Sequence, residues 1–319
     1  MTAIRLPLVS AHPLWGTAQR LGVLLTVALL VALVRWPDPT LHLLWDMVIP
    51  LLPATFLLSP TVWRNVCPLA TLNDLGGRRR ATPGLSTSLL GIGWMVGLVL
   101  LLLMVPARRF LFNEQGLVLA LTIAGVAGLA LGAGFLSSRR SGFCNSLCPV
   151  LPVEKLYGQS PLLAIGSARC ADCNRCTPAG CIDLSGRRSM LQSVSASRAR
   201  HWLLGPLGLF AALFPGFIYG YFTTADGGLG TALATYRWIG LWSLVSLGAA
   251  GAVVLATRVR AALALPVLGG LAVGVYYWFA APKLAEAYAA GAVAGEVLRV
   301  ALLSLVVAWI ARAVRRELR

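Results

Sequence analysis

The sequence predicts an all-α integral membrane protein with about eight transmembrane helices, both termini on the same side, and a cysteine-bearing loop between helices 4 and 5. Three observations predict it. The 319 residues are 58% hydrophobic and only 12% charged, with a mean hydropathy of +0.78, outside the composition of ordinary soluble domains. Eight apolar stretches reach the length of roughly 20 residues that a helix needs to cross hydrocarbon while satisfying its own backbone. Lysine and arginine are distributed very unequally between the segments that join those stretches.

The stretches fall at about 17–36, 41–61, 85–106, 116–138, 202–222, 236–256, 261–281 and 289–311. The first lacks a small-residue cleavage site and ends in Arg35-Trp36-Pro37, so it reads as a retained span and not a secretory leader. Three units follow: residues 1–138 with four helices and a Cys-Pro motif at 67–68, a loop over 139–201, and 202–319 with four more helices. No stretch between spans is large enough for an independent soluble domain.

Eight spans place the termini and the segments after spans two, four and six on one side. Twenty-one of the 27 lysines and arginines lie there, five lie on the other side, and Arg299 is within the last span. This asymmetry predicts an N-in, C-in orientation. The formal charge of +16 fringes helix ends instead of building one basic domain, so topology and anionic lipid account for it and nucleic acid is not expected as a partner. Phe217, Tyr219, Tyr221, Tyr236, Trp238, Tyr276, Tyr277 and Trp278 gather where spans five to seven should meet the outer interface, in the manner of an aromatic belt.

All seven cysteines fall on the side predicted to be cytoplasmic: Cys67 after span two, and Cys144, Cys148, Cys170, Cys173, Cys176 and Cys181 after span four. Reducing conditions there disfavour disulfides, so clustered thiols point to metal or redox chemistry. The run CADCNRCTPAGC, residues 170–181, has the spacing C-x2-C-x2-C-x4-C. Three cysteines at two-residue gaps wrap one corner of a cubane, as in the bacterial ferredoxin run. Here the last gap is one residue longer and Ile182 replaces the expected proline, which leaves the destination of Cys181 open. A four-cysteine zinc site would use two well-separated C-x2-C pairs, which this run fits poorly. Cys144 and Cys148, in CNSLCP, share a helix face at a spacing of four, and Pro149 redirects the chain after them. WRNVCP, residues 63–68, is a similar hexamer with Trp63 in the place of Cys144.

These segments resemble polytopic membrane ferredoxins of the NapH and NosR type: WRNVCPLATLNDLGG, CNSLCPVLPVEKLYG and CADCNRCTPAGCIDL look like members of that set, over roughly residues 41–190. A looser similarity is to FesM-like membrane iron-sulfur proteins, whose cyclic-nucleotide domain has no counterpart here. The resemblance implies a multi-pass protein of the bacterial cytoplasmic membrane that binds [4Fe-4S] clusters. It further implies that the two Cys-Pro motifs come together. Cys67, Cys144 and Cys148 would then share a site with Cys181, while Cys170, Cys173 and Cys176 hold a second cluster, with Asp172 or Asp183 nearby. Seven thiols do not supply eight ligands, so the alternative is one cluster on Cys170, Cys173, Cys176 and either Cys148 or Cys67. Trp63 would pack over the site.

Such a protein would relay electrons between a cytoplasmic donor and the quinone pool or a membrane redox partner. Arg169, Arg175, Arg187 and Arg188 around the cysteine run would favour an acidic donor of the ferredoxin or flavodoxin type. Quinone chemistry needs proton-handling groups within a span, for which Asp46, with His42 before it, and Glu296, with Arg299 after it, are the candidates. His12, His42 and His201 lie at different depths and assemble a haem site poorly. Two other classes remain: an accessory or redox-sensing subunit with a structural cluster, and a transporter with a cytoplasmic metal site, for which Pro50, Pro53, Pro206 and Pro215 hint at broken helices without a charged midplane site.

Overall fold

The structure, a computed structural model, describes residues 4–6, 13–77, 85–137, 140, 142–165, 182, 185–195 and 201–318. Among these, eight helices are long and apolar enough to cross a membrane: Leu14–Arg35, Pro37–Leu58, Thr87–Phe112, Gly116–Leu136, Pro206–Thr223, Leu229–Thr257, Ala261–Ala287 and Gly291–Leu318, numbered here spans 1 to 8. The end of the bundle where span 1 begins is the near end, and the opposite one the far end. Spans 5 and 7 are central, whereas most of spans 1 and 6 is exposed on the outside of the bundle. Phe210, Ala211, Ala212, Leu265, Ala272 and Val273 form the contact between spans 5 and 7 within one large apolar core. The one sheet among the described residues is a three-residue parallel ladder, Ile4–Leu6 with Leu163–Ile165.

Span 2 is not a regular helix. It passes through a π-helical turn, Leu43–Val48, and a 3-10 turn, Ile49–Leu51, before regaining α geometry at Leu52–Leu58. Pro50 and Pro53 remove two amide donors from this stretch. The vacancy in the ladder is filled from span 7: the Ala54 amide donates to the Tyr277 hydroxyl at 2.7 Å, and that hydroxyl donates to the Pro50 carbonyl at 3.2 Å. A side chain inserted into a helical hydrogen bond is one of the recognised causes of a bend. Tyr277 is therefore buried, as is Phe217, and neither belongs to the interfacial belt expected from the sequence. The unmet backbone polarity of span 2 is what draws the tyrosine inward.

The segments after spans 2 and 4 also depart from simple surface loops. After Ser59 the chain forms Pro60–Val66, turns at Cys67, and leaves as a second helix, Pro68–Gly77. After span 4 it forms a π-helical turn, Phe143–Leu147, turns at Cys148 and continues as Leu151–Tyr157. Both turns penetrate the bundle. A Cβ on Gly22 of span 1 would lie 2.9 Å from the Val66 carbonyl oxygen, and one on Gly97 of span 3 would lie 2.9 Å from that of Cys148. Gly22 and Gly97 are eight and ten residues into their spans, so at 1.5 Å per residue the turns reach about 12–15 Å inside the near end. Irregular backbone at such depth survives only when enclosed by protein, and the absence of a side chain at both glycines makes the enclosure close. The sequence reading put Cys67 after span 2 and Cys144 and Cys148 at the end of span 4; the depth to which their turns enter the bundle is added by the structure.

Candidate functional site

The two Cys-Pro turns have nearly the same backbone. Cys67 has φ −58° and ψ 124°, Cys148 φ −62° and ψ 120°. Each amide closes the preceding helix, Cys67 onto the Trp63 carbonyl at 2.8 Å and Cys148 onto that of Phe143 at 3.0 Å. Backbone amides of the following turn, those of Ala70 and Leu69 at Cys67 and that of Val150 at Cys148, act on each thiol against the effect of burial. Proline at the next position has no donor of its own, so the sulfur takes the place that a serine or aspartate oxygen holds at a helix N-cap.

Cys144 and Phe143 are buried with Ala70 and Ala130, and Cys67, Cys148, Leu69, Leu147, Val126 and Ala133 pack against them. The structure thus brings three of the seven predicted thiols into one apolar cluster. Among the described residues, no group of three or more His, Cys, Asp or Glu is disposed to hold a metal ion. Cys170, Cys173, Cys176 and Cys181, with Asp172, Asp183, Arg169 and Arg175, lie outside the described residues. Both flanks of that run are fixed to the bundle. On entry the Leu162 amide donates to the Leu57 carbonyl at 3.0 Å. On exit Ile182 is buried, and a Cβ on Gly186 would meet the Gly158 carbonyl oxygen at 2.1 Å. Gly158 directly follows the helix that begins after Cys148-Pro149.

Burial pushes all three thiols upward. Desolvation dominates at Cys67, Cys144 and Cys148 alike; the last is pushed up to about 12, with the Glu154 carboxylate adding to the rise. At Cys144 the guanidinium groups of Arg64 and Arg140 pull the other way without overcoming burial. Without a bound cation these are protonated, unreactive thiols.

Among the described residues, two ion pairs cross between the turns. Arg64, three residues before Cys67, donates from Nη1 to Oε2 of Glu154 at 2.9 Å and from Nη2 to Oδ1 of Asn145 at 2.7 Å. Arg140, ahead of Cys144, donates from Nη2 to Oδ2 of Asp74 at 3.3 Å and reaches Oδ1 of Asn65 at 3.5 Å. The cation that precedes one Cys-Pro pairs with the acid that follows the other. These four charged residues were missed in the sequence, as was any charged site at depth. The available signal was the alignment of the two motifs, in which Asn73 and Asp74 correspond to Glu154 and Lys155.

The donor set suits an anionic iron-sulfur group. It offers three thiols, backbone amides near two of the sulfurs, two buried guanidinium groups, and the Asn145 Nδ2 donor, which is buried without a hydrogen-bond partner. Trp63 packs edge-to-face on Phe56, ring centroids 5.6 Å apart, and joins the main core. Its indole does not belong to the apolar cluster around the thiols.

The other predicted residues stand at the far end. His42 Nδ1 and Asp46 Oδ2 are 2.8 Å apart, and Asp46 lies 3.8 Å from Arg108. Arg108 and Arg109 both hold Asp226 in the connection between spans 5 and 6, at 2.8 and 2.7 Å. Asp38, Leu41, His42, Trp45, Asp46, Arg108, Asn113 and Asp226 line a polar cavity of about 270 Å³. Its walls include two π-helical turns, Leu43–Val48 and Arg108–Phe112, a geometry often found at functional sites. Glu296 is outside this cavity, 61% exposed and paired with Arg299 at 2.9 Å. His42 and His201 stand at opposite ends of the bundle and do not make a haem pair. His12 lies outside the described residues.

No family model, curated protein or solved structure matches the chain.

Proposed function

We propose that this chain is a membrane electron-transfer protein that holds one or two [4Fe-4S] clusters and relays electrons between a cytoplasmic donor and the quinone pool or a membrane redox partner. The observation that carries the reading is the convergence of Cys67, Cys144 and Cys148 from two Cys-Pro turns into one apolar cluster of residues, with both flanks of the 170–181 run fixed to the same bundle at Leu57 and Gly158. Cys181 would complete this set, and Cys170, Cys173 and Cys176 would hold the other. When bound, such a group supplies one-electron exchange at a potential tuned by amide donors, nearby charge and burial. The chain's own part is to hold the sulfurs in a dry pocket, direct Leu69, Ala70 and Val150 amides toward them, and offset their charge with Arg64 and Arg140.

The far-end cavity supports the quinone side of the reading. Eleven residues of span 3, about 16 Å of helical rise, separate Gly97, against the Cys148 carbonyl, from Arg108 in the cavity wall. A quinone ring would lie against Trp45 and Leu41, with Asp46 and His42 as the pair that takes or returns protons. The excess of arginine and lysine at the near end supports placing that end in the cytoplasm of a bacterial cell, where Arg188 would favour an acidic donor, while Arg187 is paired with Glu317.

Re-entrant turns with buried charge are also found in transporters, and two ion pairs bracing one site suit a structural cluster in an accessory subunit. Anaerobic purification separates these readings. Iron with matching acid-labile sulfide, and a broad visible band that bleaches on reduction and returns with a quinone analogue, supports the relay. Zinc without sulfide supports the transporter. A cluster indifferent to quinone supports the accessory subunit.

A further inference from the structure

Arg64 bridges the two Cys-Pro turns from a position three residues before Cys67. It donates to Asn145, adjacent to Cys144, and to Glu154, six residues after Cys148, both on the other turn. Arg64 and Glu154 are each 3% exposed. Arg140 reciprocates with Asp74 and Asn65 of the first turn. Buried ion pairs lose about as much in desolvation as they recover in attraction, so stability alone is weak grounds for two of them crossing one site. Their chemical surroundings are more telling. Three sulfurs in an apolar pocket can carry negative charge together only if fixed positive charge is close by, and a guanidinium already oriented by a carboxylate and a carboxamide supplies it without rearranging. Glu154 opposes Arg64 in this respect, since its charge bears on Cys67 and Cys148.

We infer that Arg64 is a positioning residue of the thiol site, which sets the separation of the two Cys-Pro turns and raises the reduction potential of the cluster they hold, with Glu154 acting in the opposite sense. The inference rests on the reading of these cysteines as cluster ligands. Its signature is a pair of shifts of opposite sign.

The experiment is an anaerobic redox titration followed by EPR on full-length protein in lipid nanodiscs, with iron, sulfide and thermal unfolding measured in parallel. Arg64→Gln is expected to move the midpoint potential to more negative values, and Glu154→Gln to more positive ones. Arg64→Lys, which keeps the charge but not the two-pronged geometry, is expected to hold the potential near the wild-type value while retaining less iron. If Arg64→Gln does not accumulate, the signs of Glu154→Gln and Arg140→Gln, positive and negative respectively, carry the test. Equal losses of iron and unfolding temperature in all variants, with an unshifted potential in the clusters that remain, would overturn the inference and leave the iron-sulfur reading intact. Wild-type protein without iron and sulfide would overturn both.

Discussion

Arg64 and Glu154, 90 residues apart in sequence, form a 2.9 Å ion pair inside the bundle. Each is 3% exposed, so removing one partner takes from the other a charge that offsets its burial. Glu154→Leu alone should destabilise the protein by about 3–5 kcal/mol, and Arg64→Met alone by a similar amount. The double variant should recover most of that loss, because two apolar side chains replace two desolvated ions. Thermal unfolding of the four proteins in one detergent gives the coupling energy directly.

Tyr277 provides a second test of fold. Its hydroxyl stands between the Pro50 carbonyl and the Ala54 amide, and Tyr277→Phe leaves both without that partner. The expected cost is about 1–3 kcal/mol. Tyr276→Phe, one residue earlier on the same span, should lower the unfolding temperature far less.

The thiols predict a pH dependence in metal-free protein. Burial raises Cys67, Cys144 and Cys148 above the ordinary value of 9.0, Cys148 to about 12. The folded state therefore favours the protonated thiols. Their contribution to stability is complete below pH 9.0 and is lost as pH climbs through the folded values. Unfolding temperature should be level near neutrality and fall on approach to pH 12. A triple Cys67→Ala, Cys144→Ala, Cys148→Ala variant should show a flatter decline. Iodoacetamide should label these thiols slowly at pH 7.

Position 63 aligns with Cys144 in sequence, but the Cys67 amide closes onto Trp63 where the Cys148 amide closes onto Phe143. Trp63→Phe should leave iron content nearly unchanged, because the ring packs on Phe56 and the main core. Cys67→Ser should lower iron or alter the EPR signal, and unchanged iron, sulfide and EPR would return Cys67 to a packing role.

Much of the fold was legible in the sequence because span formation depends on local composition. All eight helices were identified, with ends displaced by a few residues where arginine-bearing turns continue the helix, as at Leu318. The depth of the Cys-Pro turns was not legible. It depends on Gly22 and Gly97 opening space on spans far away in the chain, and a glycine in an apolar run gives no sign of what lies against it. Tyr277 was misread for the same reason: an aromatic near the end of a span suits an interface as well as a gap in another helix. At the site, three cysteines could be grouped from repeated hexamers and the charge asymmetry. The arginine and acid that brace them could not, since each partner is defined by the opposite turn.

The most direct test of the central claim is the iron and acid-labile sulfide content of anaerobically purified wild-type protein, measured together with its visible spectrum before and after reduction. The account predicts iron and sulfide in equal amounts, about four of each per cluster, and a broad absorption that bleaches with dithionite. Protein that carries zinc or no metal, with no labile sulfide and no bleaching, would contradict it.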